Sequence, residues 1–356
     1  MTTTAPQASQ ADVEAFLGRF VVDFGAALAS AGVILGDRLG LYRALAELGS
    51  ATAEELAERT DTDPRYVREW LSGQAAGGYV DFDGESNFSL TPAQIVCLAD
   101  SHSPTFLPGA FEIAASVYKD ADTIIEAFRT GRGVGWHEHH HELFAGTERF
   151  FRPGYAANLV DNWIPALRGV EAKLLSGANV ADVGCGHGAS TIIMAQGFPR
   201  STFVGFDYHE ASVVQARIAA DVAGVSDRVR FEVAGAADYP GTDFDLVTMF
   251  DCLHDMGDPV GAARHVRESL NSDGTLLLVE PMAGNSLAEN LNPVGRVFYS
   301  ASTFICTPAS RAQDVGACLG AQAGEQRLEE VARQAGFTQF RRAAETPFNM
   351  VLEAKP

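Results

Sequence analysis

The run Val180–Ala195, VADVGCGHGASTIIMA, constrains this chain more than any other segment: a β-branched stretch, an acid, then glycines at 184, 186 and 188 opening an apolar helix. Glycines in that pattern supply backbone angles that side chains forbid and let a ligand approach the main chain at a helix N-terminus. The segment therefore reads as a nucleotide-type cofactor loop. Spacing alone leaves two chemistries open, because Gly184, Gly186 and Ala189 also satisfy the dinucleotide pattern G-x-G-x-x-G/A. Asp182, two residues before the first glycine, and the mid-chain position of the loop favour the other chemistry, identified below.

Around the loop the sequence alternates between two periods. Strands are predicted at 179–183, 202–207, 229–233, 244–250 and 275–280, with helices from 188, over 211–223 and over 259–270. This implies an α/β, Rossmann-like domain, a parallel sheet with helices on both faces. Asp207 ends the second strand, where a carboxylate can accept hydrogen bonds from both ribose hydroxyls. Asp238 follows the third strand, placed either for the adenine edge or for a turn. From Pro281 to Gly320 no period is evident, so a long functional loop is expected there, with Phe298, Tyr299, Phe304 and Cys306 as pocket wall or sheet-edge packing. A helix over 325–335 and a hairpin, FTQFRRAA and FNMVLEA turning at Thr346-Pro347, close the chain.

The N-terminal part reads differently. Phe16, Phe20, Phe24 and Leu28 form a helical stripe, Leu39, Leu41, Leu45 and Leu48 a second one. Thr52 with Glu55 makes a capping box, Asp63-Pro64 opens another helix, and YVDFDGESNFSL turns as a hairpin near Asp83-Gly84. Helices followed by a two-stranded wing make a winged-helix pattern, compatible with DNA reading or with dimerisation. Charge favours dimerisation: from Thr52 to Ser72 the acids Glu54, Glu55, Glu58, Asp61, Asp63 and Glu69 outnumber Arg59, Arg65 and Arg68. The whole chain carries a formal charge of −20, unsuited to a polyphosphate partner. Three regions are expected: a winged-helix dimerisation domain over 1–103, a helical linker and substrate roof over 104–165, and the cofactor domain over 166–356.

The polar opening MTTTAPQASQ and the lack of eighteen uninterrupted apolar residues speak for a cytoplasmic protein without a membrane partner. Cys97, Cys185, Cys252, Cys306 and Cys318 contain no CxxC pair and fit reduced thiols.

The block FDLVTMFDCLHDMGDP, residues 244–259, lies at the carboxyl end of the fourth strand, where open α/β sheets meet their ligands. With the glycine loop, Asp207 and SDGTLLLVEP, it resembles the class I S-adenosylmethionine-dependent methyltransferases. More closely, the chain resembles plant and bacterial small-molecule O-methyltransferases with a winged-helix dimerisation domain in front, actinobacterial members above all. The resemblance implies S-adenosylmethionine as cofactor, a seven-stranded domain, a small-molecule acceptor and a homodimer.

It also implies roles. His254 stands at the family's general base, with Met256 replacing an aromatic residue. Glu280 matches one of two flanking glutamates and Glu325 the other more loosely; a carboxylate beside an imidazole orients it and stabilises its charged form. Asp182, Gly184, Gly186 and Gly188 would hold the methionine part, Asp207 the ribose, and Asp238 or its neighbours the adenine, Ala236 standing where the family has Asp. Cys185, Tyr208, Ala237, Phe250 and Asp251 complete the cofactor set. No metal is expected: His137, Glu138 and His141 match H-E-x-x-H, but Gly131, Gly133, Gly135 and Gly146 leave too little helix around them. Two other functions remain, a cofactor-responsive DNA-binding regulator and a non-methylating enzyme on the same fold.

Overall fold

The computed structural model describes residues 8–356. Met1–Gln7, most of the polar opening, lies outside them. The chain divides between Ala115 and Ser116 into two compact units. Of residues 104–165, expected as a linker and roof, 104–115 fall within the first unit and 116–165 within the second, where Tyr155, Leu159, Trp163 and Ile164 pack into the same core as Val180, Phe203 and Leu246.

The second unit is built on seven strands: β1 (Asn179–Val183), β2 (Thr202–Asp207), β3 (Val229–Val233), β4 (Phe244–Phe250), β5 (Leu270–Pro281), β6 (Gln339–Glu345) and β7 (Asn349–Lys355). Their order across the sheet is β3-β2-β1-β4-β5-β7-β6. Side chains alternate between faces along a strand, so each strand feeds two cores. Val180, Leu246, Leu277 and Val351 point into one layer, and Ala181, Val247, Leu276, Leu278, Met350 and Leu352 into the other. Burial on both faces explains the near-continuous apolar runs.

Two expectations need correcting. The sheet is mixed: β7 runs antiparallel between β5 and β6, with Val351 opposite Val279 and Ala344. The closing hairpin forces this, since strands joined by a tight turn must be antiparallel; the Thr346 hydroxyl accepts from the N–H groups of Phe348 and Asn349 there. Residues 282–320 are also not one loop. Helices Pro293–Phe304 and Cys306–Arg311 lie within it, the first opened by the Asn292 side chain accepting from the Gly295 N–H, with Pro293 in the first turn. The Asn-Pro start was legible in the sequence; the first helix buries Gly295 and Ser302 and exposes Val297 and Tyr299, so no apolar period marks it, and the second has only six residues.

The first unit matches its reading. Helices Gln10–Arg38 and Leu41–Leu48 carry the two stripes. Thr52 and Glu55 close the capping box before Ala53–Thr60, and Asp63 caps Pro64–Ala76 by accepting from the Arg65 and Tyr66 N–H groups. Short strands Ser50–Ala51, Asp81–Phe82 and Phe88–Ser89 form the wing. Leu41, Leu45, Leu56, Val67 and Leu71 make its core, and Trp70 donates its indole N–H to the Gly32 carbonyl at 2.8 Å. Helix Gln10–Arg38 is long and apolar enough to cross a membrane by length and composition, although no run of eighteen residues in it is uninterrupted by polar ones. Phe16, Phe20, Val21, Phe24 and Leu28 are all more than half exposed along it.

Candidate active site

The loop after β1 takes the shape its glycines allow: Gly184, Gly186 and Gly188 have φ of 75°, 53° and 80°. They do different work. A Cβ on Gly186 would meet nothing within 4 Å, which leaves open space on the cavity side, whereas one on Gly188 would lie 2.5 Å from the Phe231 ring. Gly186 admits a ligand and Gly188 admits the packing that fixes the helix.

A cavity of about 360 Å³ opens in front of this loop. Gly184, Cys185 and Gly186 form its floor, Asp207 and Tyr208 come from the end of β2, Ala234 to Ala236 from the end of β3, and Phe250, Asp251, Asp255 and Met256 from the end of β4. Asp207 accepts the Gly186 N–H at 2.9 Å and the His209 N–H at 2.8 Å, so loop and acid hold each other in place. Burial raises its carboxyl above the usual range, partly offset by those two donors.

Four of the expected cofactor residues, Asp182, Gly188, Ala237 and Asp238, do not line the cavity. Asp182 does not line the cavity; it is buried beneath it and accepts from the hydroxyls of Ser190 and Thr191, each at 2.6 Å, and Thr248 at 2.9 Å. It ties β1, β4 and the helix Ala189–Gly197 together. Asp238 turns back on its own loop, its carboxylate beside Gly235, so the turn role is the one its geometry fits; Ala237 also stays off the cavity wall.

His254 and Glu280 meet. The His254 Nδ1 lies 2.5 Å from Glu280 Oε2, and the Leu253 N–H donates to Oε1 at 2.9 Å. Both side chains are buried, at the ends of the adjacent parallel strands β4 and β5. Burial opposes a charge on the imidazole, but the Glu280 carboxylate and the Cys306 thiol, its second hydrogen-bond neighbour, outweigh burial and raise its pKa well above the ordinary histidine value. Glu325 is not part of this group: its Oε2 accepts from both Nε and Nη2 of Arg342, on β6, at 3.0 and 2.6 Å.

Other cavity residues escaped the sequence reading. Helix Glu142–Asn158 presents Phe144, Glu148, Phe151, Arg152 and Tyr155 along one face. Glu148 meets His187 of the glycine loop at 3.0 Å, and that contact holds the Glu148 carboxyl below its ordinary value. The Tyr155 hydroxyl and the Asn349 amide each donate to Asp251 at 2.9 Å. Asp251, in the left-handed region at φ 50°, and Asp255 both have pKa values pushed up to about 7, chiefly by burial. The i, i+4, i+7, i+11 spacing of Phe144, Glu148, Phe151 and Tyr155 was the available signal. Among the described residues no cluster of three or more His, Cys, Asp or Glu could hold a metal.

Family models match both parts: a methyltransferase domain over residues 174–336 and an Rv2258c-like winged HTH domain over 26–99. The chain is 29% identical to the O-methyltransferase SfmM3 of Streptomyces lavendulae over 273 residues, 73% of this chain and 79% of that one. It is 35% identical to the 27-O-demethylrifamycin SV methyltransferase of Amycolatopsis mediterranei over 35% of its own length and about half, 48%, of that protein's. Human N-acetylserotonin methyltransferase, solved with S-adenosylmethionine, superposes with a TM-score of 0.66 at 17% identity over 99% of both chains. The chain is therefore an S-adenosylmethionine-dependent methyltransferase of the class I fold, with a winged-helix domain in front. Within that class it is related to bacterial O-methyltransferases, and it acts on a small molecule.

The residues fit the cofactor. The open face at Gly186 and the Asp207 carboxylate beside it suit a nucleoside, and the acids Asp251 and Asp255 suit a cationic sulfur centre.

Proposed function

We propose that the enzyme methylates a hydroxyl oxygen of a small, largely apolar acceptor and that His254 takes the hydroxyl proton. The single observation that carries this reading is the His254–Glu280 pair at 2.5 Å, at the carboxyl ends of β4 and β5 beside the cofactor cavity. S-adenosylmethionine supplies an electrophilic methyl group on a sulfonium. Glu280 fixes the imidazole through Nδ1 and balances the positive charge it gains, while the ring's other nitrogen serves the acceptor. His254 does not line the cavity and touches Cys306, so the acceptor hydroxyl takes the place of the thiol when it binds. Trp136, Phe144, Phe151 and Phe250 give the cavity an aromatic wall suited to a flat acceptor.

Asp255 is the second candidate for the same proton, because it lines the cavity and its pKa of about 7 suits a base. Comparing His254→Ala with Asp255→Asn in the same assay separates the two.

The first unit is read as a dimerisation module, active in the cytoplasm, rather than a DNA reader. Arg59, Arg65 and Arg68 are each paired with a glutamate, Glu47, Glu69 and Glu54, which leaves no basic face for phosphates in this stretch. The test of function is transfer from methyl-labelled S-adenosylmethionine to a panel of phenols, alcohols and amines, with the product's methylated atom fixed by mass spectrometry. O-methyl products are expected; methylation at nitrogen or carbon alone contradicts the assignment.

A further inference from the structure

A second cavity, of about 300 Å³, lies away from the cofactor. Strand β7 starts beside the cofactor cavity, where Asn349 holds Asp251, and ends at Lys355 on the wall of the second one, about 20 Å along at a strand's rise per residue. Four cations line that wall: Arg168, Arg333, Arg341 and Lys355. In a chain with 46 acids against 26 lysines and arginines this reverses the general balance, and like charges held together call for an opposite charge between them.

The protein supplies only part of that charge. Glu353, the only acid among the lining residues, is buried and has both oxygens engaged: Oε2 meets Arg341 Nε at 2.5 Å and Oε1 accepts the Arg168 backbone N–H at 2.8 Å. Arg333 turns Nε and Nη2 to Glu329 at 3.3 and 3.1 Å. Asp273, close enough to feel Lys355, is taken by Lys173 at 2.8 Å. Two cations are left over. The Arg168 guanidinium makes no hydrogen bond among the described residues, its Nε standing 4.0 Å from Glu353, and the Lys355 ammonium donates to the Arg168 carbonyl at 3.0 Å with no carboxylate among the described residues within ion-pair distance.

We propose that this cavity binds a dianionic oxyanion, a phosphate monoester or free phosphate, between the Arg168 guanidinium and the Lys355 ammonium. Two unmet positive charges set the charge of the ligand. A guanidinium fork takes two of its oxygens in parallel, and the ammonium serves a third as a point charge. The Arg341–Glu353 pair is neutral overall and forms the fixed back of the site. Methyl transfer uses none of these residues, so the site is a second binding function of the chain, independent of which acceptor atom is methylated.

Calorimetry at pH 8, where a phosphate monoester carries two charges, tests this with S-adenosylhomocysteine saturating, so that the cofactor cavity is filled. Phenyl phosphate is expected to bind about 10-fold or more tightly than benzenesulfonate, a monoanion of the same outline, at matched low ionic strength. Inorganic phosphate, run in parallel, tells an ester ligand from the free ion: both bind if the phosphate group suffices, the ester more tightly if its ring is also held. Arg168→Ala should weaken phenyl phosphate by about 10-fold or more and Lys355→Ala by less, each with the affinity for S-adenosylhomocysteine at the parent value, which shows that the fold is intact. Equal affinity of the parent for phenyl phosphate and benzenesulfonate overturns the charge match. Unchanged phenyl phosphate binding by Arg168→Ala, or no binding of either phosphate to the parent, overturns the site.

Discussion

The Glu280 carboxylate holds two successive residues of the β4 exit at once: Oε1 takes the Leu253 N–H at 2.9 Å and Oε2 meets His254 Nδ1 at 2.5 Å. One acid from β5 therefore sets both the backbone and the ring orientation of the proposed base. A base works only after losing its own proton. With the His254 pKa raised above its ordinary value by Glu280 and Cys306 against the effect of burial, the acceptor-dependent rate should climb with pH on the alkaline side of neutrality.

Glu280→Gln removes the negative partner, so the ascending limb of the kcat/KM profile should move to lower pH while the plateau falls by about 10-fold or more. A plateau loss without any shift of the limb would mean that Glu280 supports the fold and not the imidazole's charge.

Asp255 predicts a pH dependence of stability. Below about pH 4 its carboxyl is protonated whether the chain is folded or not, so its burial carries no charge penalty. As pH rises, the unfolded chain releases a proton that the folded state keeps until about pH 7, and stability falls across that window. Asp255→Asn should therefore be more stable than the parent by roughly 1 to 4 kcal/mol near pH 8, and the gap should close toward pH 4. Denaturant melts at both ends check this; an equal offset at each pH would assign the effect to packing.

Helix Gln10–Arg38 leaves Phe16, Phe20, Val21, Phe24 and Leu28 in solvent, with Phe20 and Phe24 stacked at 5.5 Å. A contiguous apolar stripe of this kind marks an interface. The reading offered here covers it with a second copy of the chain, so light scattering should find a dimer. Phe20→Asp with Phe24→Asp should give monomers that still bind S-adenosylhomocysteine. A monomeric parent, or one that cosediments with lipid vesicles, would refute the dimer reading.

How much of this was legible beforehand follows from where the information lies. Strands β1 to β4 and their helices were readable because apolar period and glycine placement are local, and Asp207, His254 and Glu280 fell at strand ends that open sheets use for ligands. Glu325 was misplaced because an acid in the first turn of a helix says nothing about the partner it meets, here Arg342 from another strand. Asp182 and the loop lie close in sequence, yet its burial among three hydroxyls depends on Thr248, 66 residues away. Tyr155 and Asn349 reach Asp251 across 96 and 98 residues, and no spacing rule connects such positions. Helix Pro293–Phe304 buries small residues and exposes Val297, and Cys306–Arg311 has only six residues, so neither shows an apolar period, and with them went the contact of Cys306 with His254.

The most direct test of the proposed chemistry is the single-turnover rate of methyl transfer by His254→Ala, with cofactor and acceptor both saturating. Loss of the proton acceptor should slow transfer by about 100-fold or more while the affinity for S-adenosylhomocysteine stays at the parent value. An unchanged rate would contradict the assignment of His254 as the base.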